Sequence, residues 1–263
     1  MTLSNRKILR TLLCLLAGTL YAVCLSACDA KEPLSENRDA EIESPVIAND
    51  LSNQKVTAIA EDTQGHIWIG TFRGLNKNNV HDYHQYFCTD DSLGLPDNQI
   101  THLLRDSKNR FWVGTVNGVC LYTDKDNFRI IPIEADNKNV RQILEDRNGR
   151  IFLNTGFQLY AYHPREEKIT CVLPEISPGN AFYAQCHIAP DNNLWVMTST
   201  GLRCYDPSTL QLKESVALSG YPYYSYLHNN ELWITGNHTL SIFDTRTRSF
   251  KPLPQPIARR RAD

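Results

Sequence analysis

The sequence has no surplus of charge of either sign: 27 Lys and Arg stand against 29 Asp and Glu, for a net charge of −2. A general nucleic-acid binder needs excess positive side chains to displace counterions from phosphates, so that class is excluded and no nucleic-acid partner is expected. Short chemistry-bearing motifs are missing too. There is no Gly-x-x-x-x-Gly-Lys-Ser/Thr loop, His-Glu-x-x-His pair or Gly-x-Ser-x-Gly elbow, which removes the commonest phosphate-binding, zinc-hydrolase and serine-hydrolase readings. No CxxC spacing occurs. No apolar stripe at helical spacing persists over ten residues, and after residue 28 no apolar run is long enough for a membrane helix. Neither a cofactor nor a metal is expected.

The first 28 residues read as an address. Arg6, Lys7 and Arg10 precede an uncharged stretch from Thr11 to Ala27, which ends in Leu25-Ser26-Ala27-Cys28. A basic n-region, an apolar h-region and small residues before a cut site form a secretory signal over residues 1–27. Leu-Ser-Ala-Cys resembles the bacterial lipobox, which implies lipidation of Cys28 and a lipid anchor to the membrane. Residues 28–50 are rich in charge and contain Pro33 and Pro45, the composition of a solvated tether. Of the eight cysteines, Cys88, Cys120, Cys171, Cys186 and Cys204 remain beyond the anchor. They read as small buried hydrophobes on strands. Arg259 to Arg261 form a basic tail over residues 258–263.

Residues 51–257 are built from a repeat. Ile67-Trp68-Ile69-Gly70-Thr71, Phe111-Trp112-Val113-Gly114-Thr115, Ile151-Phe152-Leu153-Asn154-Thr155, Leu194-Trp195-Val196-Met197-Thr198 and Leu232-Trp233-Ile234-Thr235-Gly236 align. Their central aromatics are spaced by 44, 40, 43 and 38 residues, and they include all four tryptophans of the chain. Six residues before the aromatic stand Asp62, Asp106 and Asp146, and three before it stand Gly65, Asn109 and Gly149. That pair builds a tight hairpin, because the carboxylate accepts N–H bonds across the turn and Gly or Asn tolerates positive φ. The fourth unit keeps Asn192 but has Ala189 for Asp, and the fifth places Asn230 in the glycine slot. Seven residues after the aromatic come Leu75, Val119, Leu159, Leu202 and Leu240; three further on come Tyr122, Tyr162, Tyr205 and Phe243, with Asn78 the exception. Each unit spells four short alternating strands. Four antiparallel strands in about 41 residues are a β-propeller blade. The expected fold is all-β, about five four-stranded blades in a closed or open ring, with the aromatics wedged between blades.

The run from Ala58 to Leu75, with the lead-ins Leu51 to Val56 and Leu95 to Ile100, resembles the two-component-regulator propeller repeat. That family forms the exported sensor part of bacterial hybrid two-component regulators. The resemblance implies an extracytoplasmic recognition role, an oligosaccharide ligand and a membrane signalling partner. Such proteins usually carry about seven repeats per propeller, followed by a membrane helix and kinase parts. Five repeats and no kinase motif are found here, so this chain is expected to be a truncated sensor or a free-standing lipoprotein, and not itself an enzyme.

Loops joining the blades carry the residues free to differ while the scaffold repeats. Five residues after each aromatic stand Arg73, Asn117, Phe157, Thr200 and His238; the loops entering each unit add Asn53, Asn98, Asn139 and the cluster Tyr221-Pro222-Tyr223-Tyr224. Arg73, Asn117, Phe157, Thr200, His238 and Tyr223 form the candidate ligand set, since amides, a guanidinium and flat aromatic faces suit sugar rings. His81-Asp82-Tyr83-His84 and Asp90-Asp91 read as solvated loop residues. A protein-docking scaffold and a propeller lyase or hydrolase are the competing functions.

Overall fold

The structure is a computed structural model that describes residues 45–89, 94–123, 125–174, 176 and 184–253. The signal peptide, Cys28, Asp90-Asp91 and the basic tail lie outside the described residues. Five antiparallel sheets follow one another along the chain. The first holds β1 (Val46–Ala48), β2 (Val56–Glu61), β3 (Ile67–Thr71), β4 (Gly74–Asn79) and β5 (Asp82–Tyr86) in the order β1-β5-β4-β3-β2. The second is β6 (Ile100–Arg105), β7 (Phe111–Thr115), β8 (Gly118–Tyr122) and β9 (Phe128–Ile131). The third is β10 (Gln142–Glu145), β11 (Ile151–Asn154), β12 (Leu159–His163) and β13 (Lys168–Leu173). The fourth is β14 (Gln185–Ile188), β15 (Leu194–Thr198), β16 (Gly201–Tyr205) and β17 (Leu212–Ala217). The fifth is β18 (Pro222–His228), β19 (Glu231–Gly236), β20 (Thr239–Asp244) and β21 (Ser249–Lys251). One expected boundary moves: residues 46–48, assigned to the tether, pair with β5 as an outermost strand. Val46-Ile47-Ala48 is the one short apolar run in that charged stretch, enough to complete a sheet edge.

The hairpins form as their residues dictate. Asp62 Oδ1 accepts the N–H groups of Gln64 and His66 at 2.8 and 3.0 Å, and its Oδ2 accepts the Trp68 indole N–H at 2.8 Å. Burial raises the Asp62 pKa, but these donors outweigh it and hold the carboxyl below its usual range. Asp106 repeats the set on Lys108, Arg110 and, at 2.8 Å, the Trp112 indole. Gly65, Asn109, Gly149 and Asn192 all have positive φ. The fifth unit departs from expectation. His228 pairs with Glu231, so the turn has only two residues, and Asn229, not Asn230, takes the positive φ. A two-residue hairpin needs its left-handed residue one place earlier.

Packing between sheets follows one rule. In each second strand the central aromatic faces the next sheet, while the residues flanking it face the previous one. Trp68 packs with Phe111 and Val113; Trp112 with Ile151 and Leu153; Phe152 with Leu194 and Val196; Trp195 with Leu232 and Ile234. The aromatic ten places later faces backward and meets the preceding tryptophan edge-on: Tyr122 on Trp68, Tyr162 on Trp112, Phe243 on Trp195. Asp126 fastens the first of these interfaces further by accepting the hydroxyls of Tyr122 at 2.6 Å and Tyr86 at 2.7 Å.

The end sheets show what the rule leaves open. Contacts run from β2 to β6, β6 to β10, β10 to β14 and β14 to β18; among the described residues none of similar extent joins the fifth sheet to the first. Ile59 and Ile67, facing backward from the first sheet, are exposed, and so are Tyr224, Tyr226 and Leu240, facing forward from the fifth. Trp233 was expected to be wedged between blades; it is half-buried, because among the described residues no sixth sheet covers it. Asn78 occupies the backward aromatic position of the first sheet, where no tryptophan precedes it. Two cysteines also depart from expectation: Cys120, Cys186 and Cys204 are buried, but Cys88 and Cys171 are exposed at sheet margins.

Ala189 stands where the first three hairpins have Asp, and the buried Trp195 indole N–H has no hydrogen-bond partner among the described residues. Trp→Phe substitution therefore removes a charge-assisted bond at Trp68 and Trp112 but none at Trp195. The Trp68→Phe and Trp112→Phe variants should each lose about 1.5–3 kcal/mol more stability than Trp195→Phe, measured by urea unfolding. Equal losses at all three would show that the hairpin carboxylates do not stabilise the indoles.

Candidate functional site

The inner strands β2, β6, β10, β14 and β18 lie side by side, so corresponding residues form rungs across them. One rung stitches the sheets together. His102 bonds the backbone of Ile143. Gln142 accepts the Cys186 N–H at 2.9 Å and donates to the Cys186 carbonyl at 3.3 Å. Gln185 Oε1 accepts the Ser225 N–H at 2.6 Å and the Ser225 hydroxyl at 2.9 Å. Tyr224 holds the same position in the fifth sheet and, with no neighbouring sheet ahead among the described residues, stands 59% exposed.

His187 extends the stitching, its Nε2 lying 2.8 Å from Ser225 Oγ. Since that hydroxyl donates to Gln185, His187 must donate to it, which fixes the Nε2–H tautomer. Burial pushes the His187 pKa down to about 4 and also lowers that of His102, so both rings are neutral near pH 7.

The adjacent rung is Thr57, Thr101, Arg141, Ala184 and Tyr223. In β2, β6 and β18 the register slips at this point, between Val56 and Ala58, Ile100 and His102, and Pro222 and Tyr224. Such bulges re-aim a side chain, here those of Thr57, Thr101 and Tyr223. The two rungs line a cavity of about 470 Å³ with His102, Arg141, Gln142, Ala184, Gln185, His187 and Tyr223 to Tyr226 in its wall. Arg141 also borders a second cavity of about 270 Å³, shared with Thr57, Phe72, Gln99, Thr101, Val116 and Asn139. In that second wall the hydroxyl of Thr57 and the Oδ1 of Asn139 are buried with no hydrogen-bond partner among the described residues. Orphaned polar atoms on residues that border a cavity are disposed to bond a polar ligand.

Of the sequence-selected residues, Tyr223 lines the larger cavity and Asn139 the smaller. Arg73, Asn117, Thr200 and His238 sit exposed on hairpin tips. The backbone N–H groups of Arg73, Asn117 and Thr200 bond the threonine that ends the preceding strand. Phe157 is half-buried at the corresponding turn of the third sheet. None of those five lines either of the two cavities. Asn53 and Asn98 cap their own loops, accepting from the N–H groups of Lys55 and Cys88. Sequence reasoning missed Thr57, Arg141, Gln142, Gln185 and His187. The signal was present: the re-aimed rung lies eleven residues before the aromatic in four units and ten in the fifth, whose hairpin is one residue shorter. His81, Asp82 and His84 are not part of a metal-binding cluster, and no group of three His, Cys, Asp or Glu suited to a metal occurs among the described residues.

The two-component regulator propeller family model matches residues 50–73 and 94–117, the lead-in and first hairpin of the first two sheets. Those two segments match the two-component-regulator propeller repeat. Among solved structures it is similar to the extracellular domain of a hybrid two-component system from B. thetaiotaomicron, with 20% identity and a TM-score of 0.64. The match covers 79% of this chain and 31% of that one, so these repeats span about a third of the length of that relative. It is also similar to virginiamycin B lyase from Staphylococcus aureus, at 17% identity and a TM-score of 0.60, covering 78% of this chain and 72% of that one. At these identities the likeness is one of fold, and it establishes the propeller architecture. A search of curated proteins gives no match.

The neutral histidines give the repeats a defined acid response. The His187 pKa is about 4 folded against about 6.5 unfolded, so between those values the unfolded chain binds more protons. Stability should be full above about pH 6.5, fall towards pH 4 and then level off as far as this residue is concerned. In His187→Gln the decline in Tm between pH 7 and pH 5 should be smaller than in the parent. An unchanged decline would show that His187 takes up its proton in the folded state.

Proposed function

We propose that this propeller is an extracytoplasmic recognition module that binds a glycan fragment on the inner side of its arc and passes occupancy to a membrane signalling partner. The observation that carries the reading is the pair of orphaned buried polar atoms, Thr57 Oγ1 and Asn139 Oδ1, beside Arg141 in a wall that also offers Phe72. Hydroxyl-rich rings supply both the hydrogen bonds and the flat apolar face that such a wall lacks. The extracellular domain of a hybrid two-component system shares the fold, which supports the sensory role. Among the described residues the walls of the two cavities contain no carboxylate, which favours recognition over acid–base turnover. Titration of the purified chain with an oligosaccharide library should find a ligand that raises the Tm, by about 2.7 kcal/mol of stability at a hundredfold excess over Kd. Asn139→Ala should weaken that response without lowering the melting point of the unliganded protein. A flat response across the library would overturn the reading; product formation would point to a lyase or hydrolase instead.

The exposed forward face of the fifth sheet, with Tyr224, Tyr226 and Leu240, favours one alternative, a protein-docking scaffold. A stable partner in a pull-down with no small-molecule response would establish it. Export and anchoring through Cys28 belong to the same proposal. Cells expressing the chain should incorporate labelled fatty acid into it, and Cys28→Ser should abolish the label and shift the protein to the soluble fraction. Persistent labelling of Cys28→Ser would refute the anchor.

A further inference from the structure

We propose that the forward face of the fifth sheet binds the backward face of the first sheet of a second copy of this chain, head to tail. This is independent of the ligand-binding reading and gives the exposed face one occupant. The interfaces inside the chain define what each end face lacks. Trp68 sits in a socket of Leu103, Phe111 and Val113, and Trp112 in one of Ile143, Ile151 and Leu153. Each socket consists of the residue nine places before the next central aromatic and the two that flank that aromatic. The first sheet offers the same set, Ile59, Ile67 and Ile69, with no aromatic from another sheet in it among the described residues. Ile59 is 65% exposed and Ile67 39%. The fifth sheet offers the aromatic, Trp233, with no following sheet to form its socket among the described residues.

The rest of the two faces matches in the same orientation. On the fifth sheet Tyr226 pairs with Trp233 and Tyr224 with Thr235, which pairs with Leu240, so one exposed apolar patch spreads from β18 outward. Beyond it Lys251 of β21 closes the margin with ion pairs to Glu231 at 3.0 Å and Asp244 at 2.7 Å. On the first sheet Ile59 of β2 pairs with Ile69 of β3. Farther out on that rung Asn76 accepts the Ser52 N–H and Gln85 donates to the Asp50 carbonyl, each at 2.8 Å. Both faces are thus apolar towards the inner strand and polar towards the outer one, and the halves coincide when one sheet follows the other as sheets do within the chain. A face meeting its own kind would set aromatic on aromatic or isoleucine on isoleucine and fill no socket. The contact is therefore heterologous, driven by burial of apolar side chains.

Sedimentation velocity of the purified chain over a range of concentrations should show reversible growth beyond one chain. Ile59→Glu blocks the backward face and Tyr226→Glu the forward one. Each should weaken association at least about tenfold and leave the Tm of the dilute protein unchanged, since both side chains are exposed. A mixture of the two variants should regain one contact and stop at two chains, because only one intact forward face meets one intact backward face. Acrylamide quenching reads the same event: Trp233 is open in dilute solution, where the chains are single, and should become shielded as the chain is concentrated. A single chain at every concentration overturns the proposal, whether Trp233 stays open or is covered from within its own chain. Dimers of Ile59→Glu alone would show the forward face meeting itself, and dimers of Tyr226→Glu alone the backward face; either overturns the head-to-tail contact. Undiminished assembly of both variants would place the contact elsewhere on the molecule and overturn it as well.

Discussion

The structure depends on the pairing of a forward face with a backward face between successive sheets. An isolated four-stranded sheet of this size cannot cover its own apolar residues. Here each sheet presents an aromatic ahead and branched aliphatics behind, so every sheet completes the one before it. Removing water from these faces is the main favourable term, and a buried indole or phenyl ring is the largest single contributor at each interface. The hairpin aspartates act on the same residue from below, closing the turn and, at Trp68 and Trp112, holding the indole N–H. One carboxylate thus sets both the local turn and the rotamer of the residue that joins two sheets.

The candidate site follows from this arrangement. With the sheet faces committed to packing, the side chains available inside the arc are those at the start of the inner strands. One rung is consumed in bonds from sheet to sheet, through His102, Gln142 and Gln185. The next is turned into the cavities, and there the residue types diverge: threonine, threonine, arginine, alanine, tyrosine. Repetition provides the frame and departure from repetition provides recognition.

Much of the fold was legible in the sequence because the spacing of Trp68, Trp112, Phe152, Trp195 and Trp233 and of the aspartates reports strands and turns directly. Asn78 was legible as an exception, but its reason was not, since it depends on there being no sheet behind the first among the described residues. The same holds for Trp233: its position in the repeat is regular, and its exposure depends on a neighbour that no single unit can reveal. The site was only partly legible. Tyr223 and Asn139 were within reach of loop reasoning, whereas Arg141 was not, because it stands one residue before β10, outside the alternation of the strand. Arg73, Asn117, Thr200 and His238 were chosen at a constant offset from the aromatic, yet none of them lines either cavity.

The most direct test of this packing rule is acrylamide quenching of four variants, each keeping one tryptophan and replacing the other three by phenylalanine. Forward faces covered by a next sheet should leave Trp68, Trp112 and Trp195 with blue-shifted emission and little quenching, while Trp233 should be red-shifted and readily quenched. Protection of Trp233 equal to that of the other three, or strong quenching of Trp112 at the centre of the arc, would contradict the stacking of sheets described here.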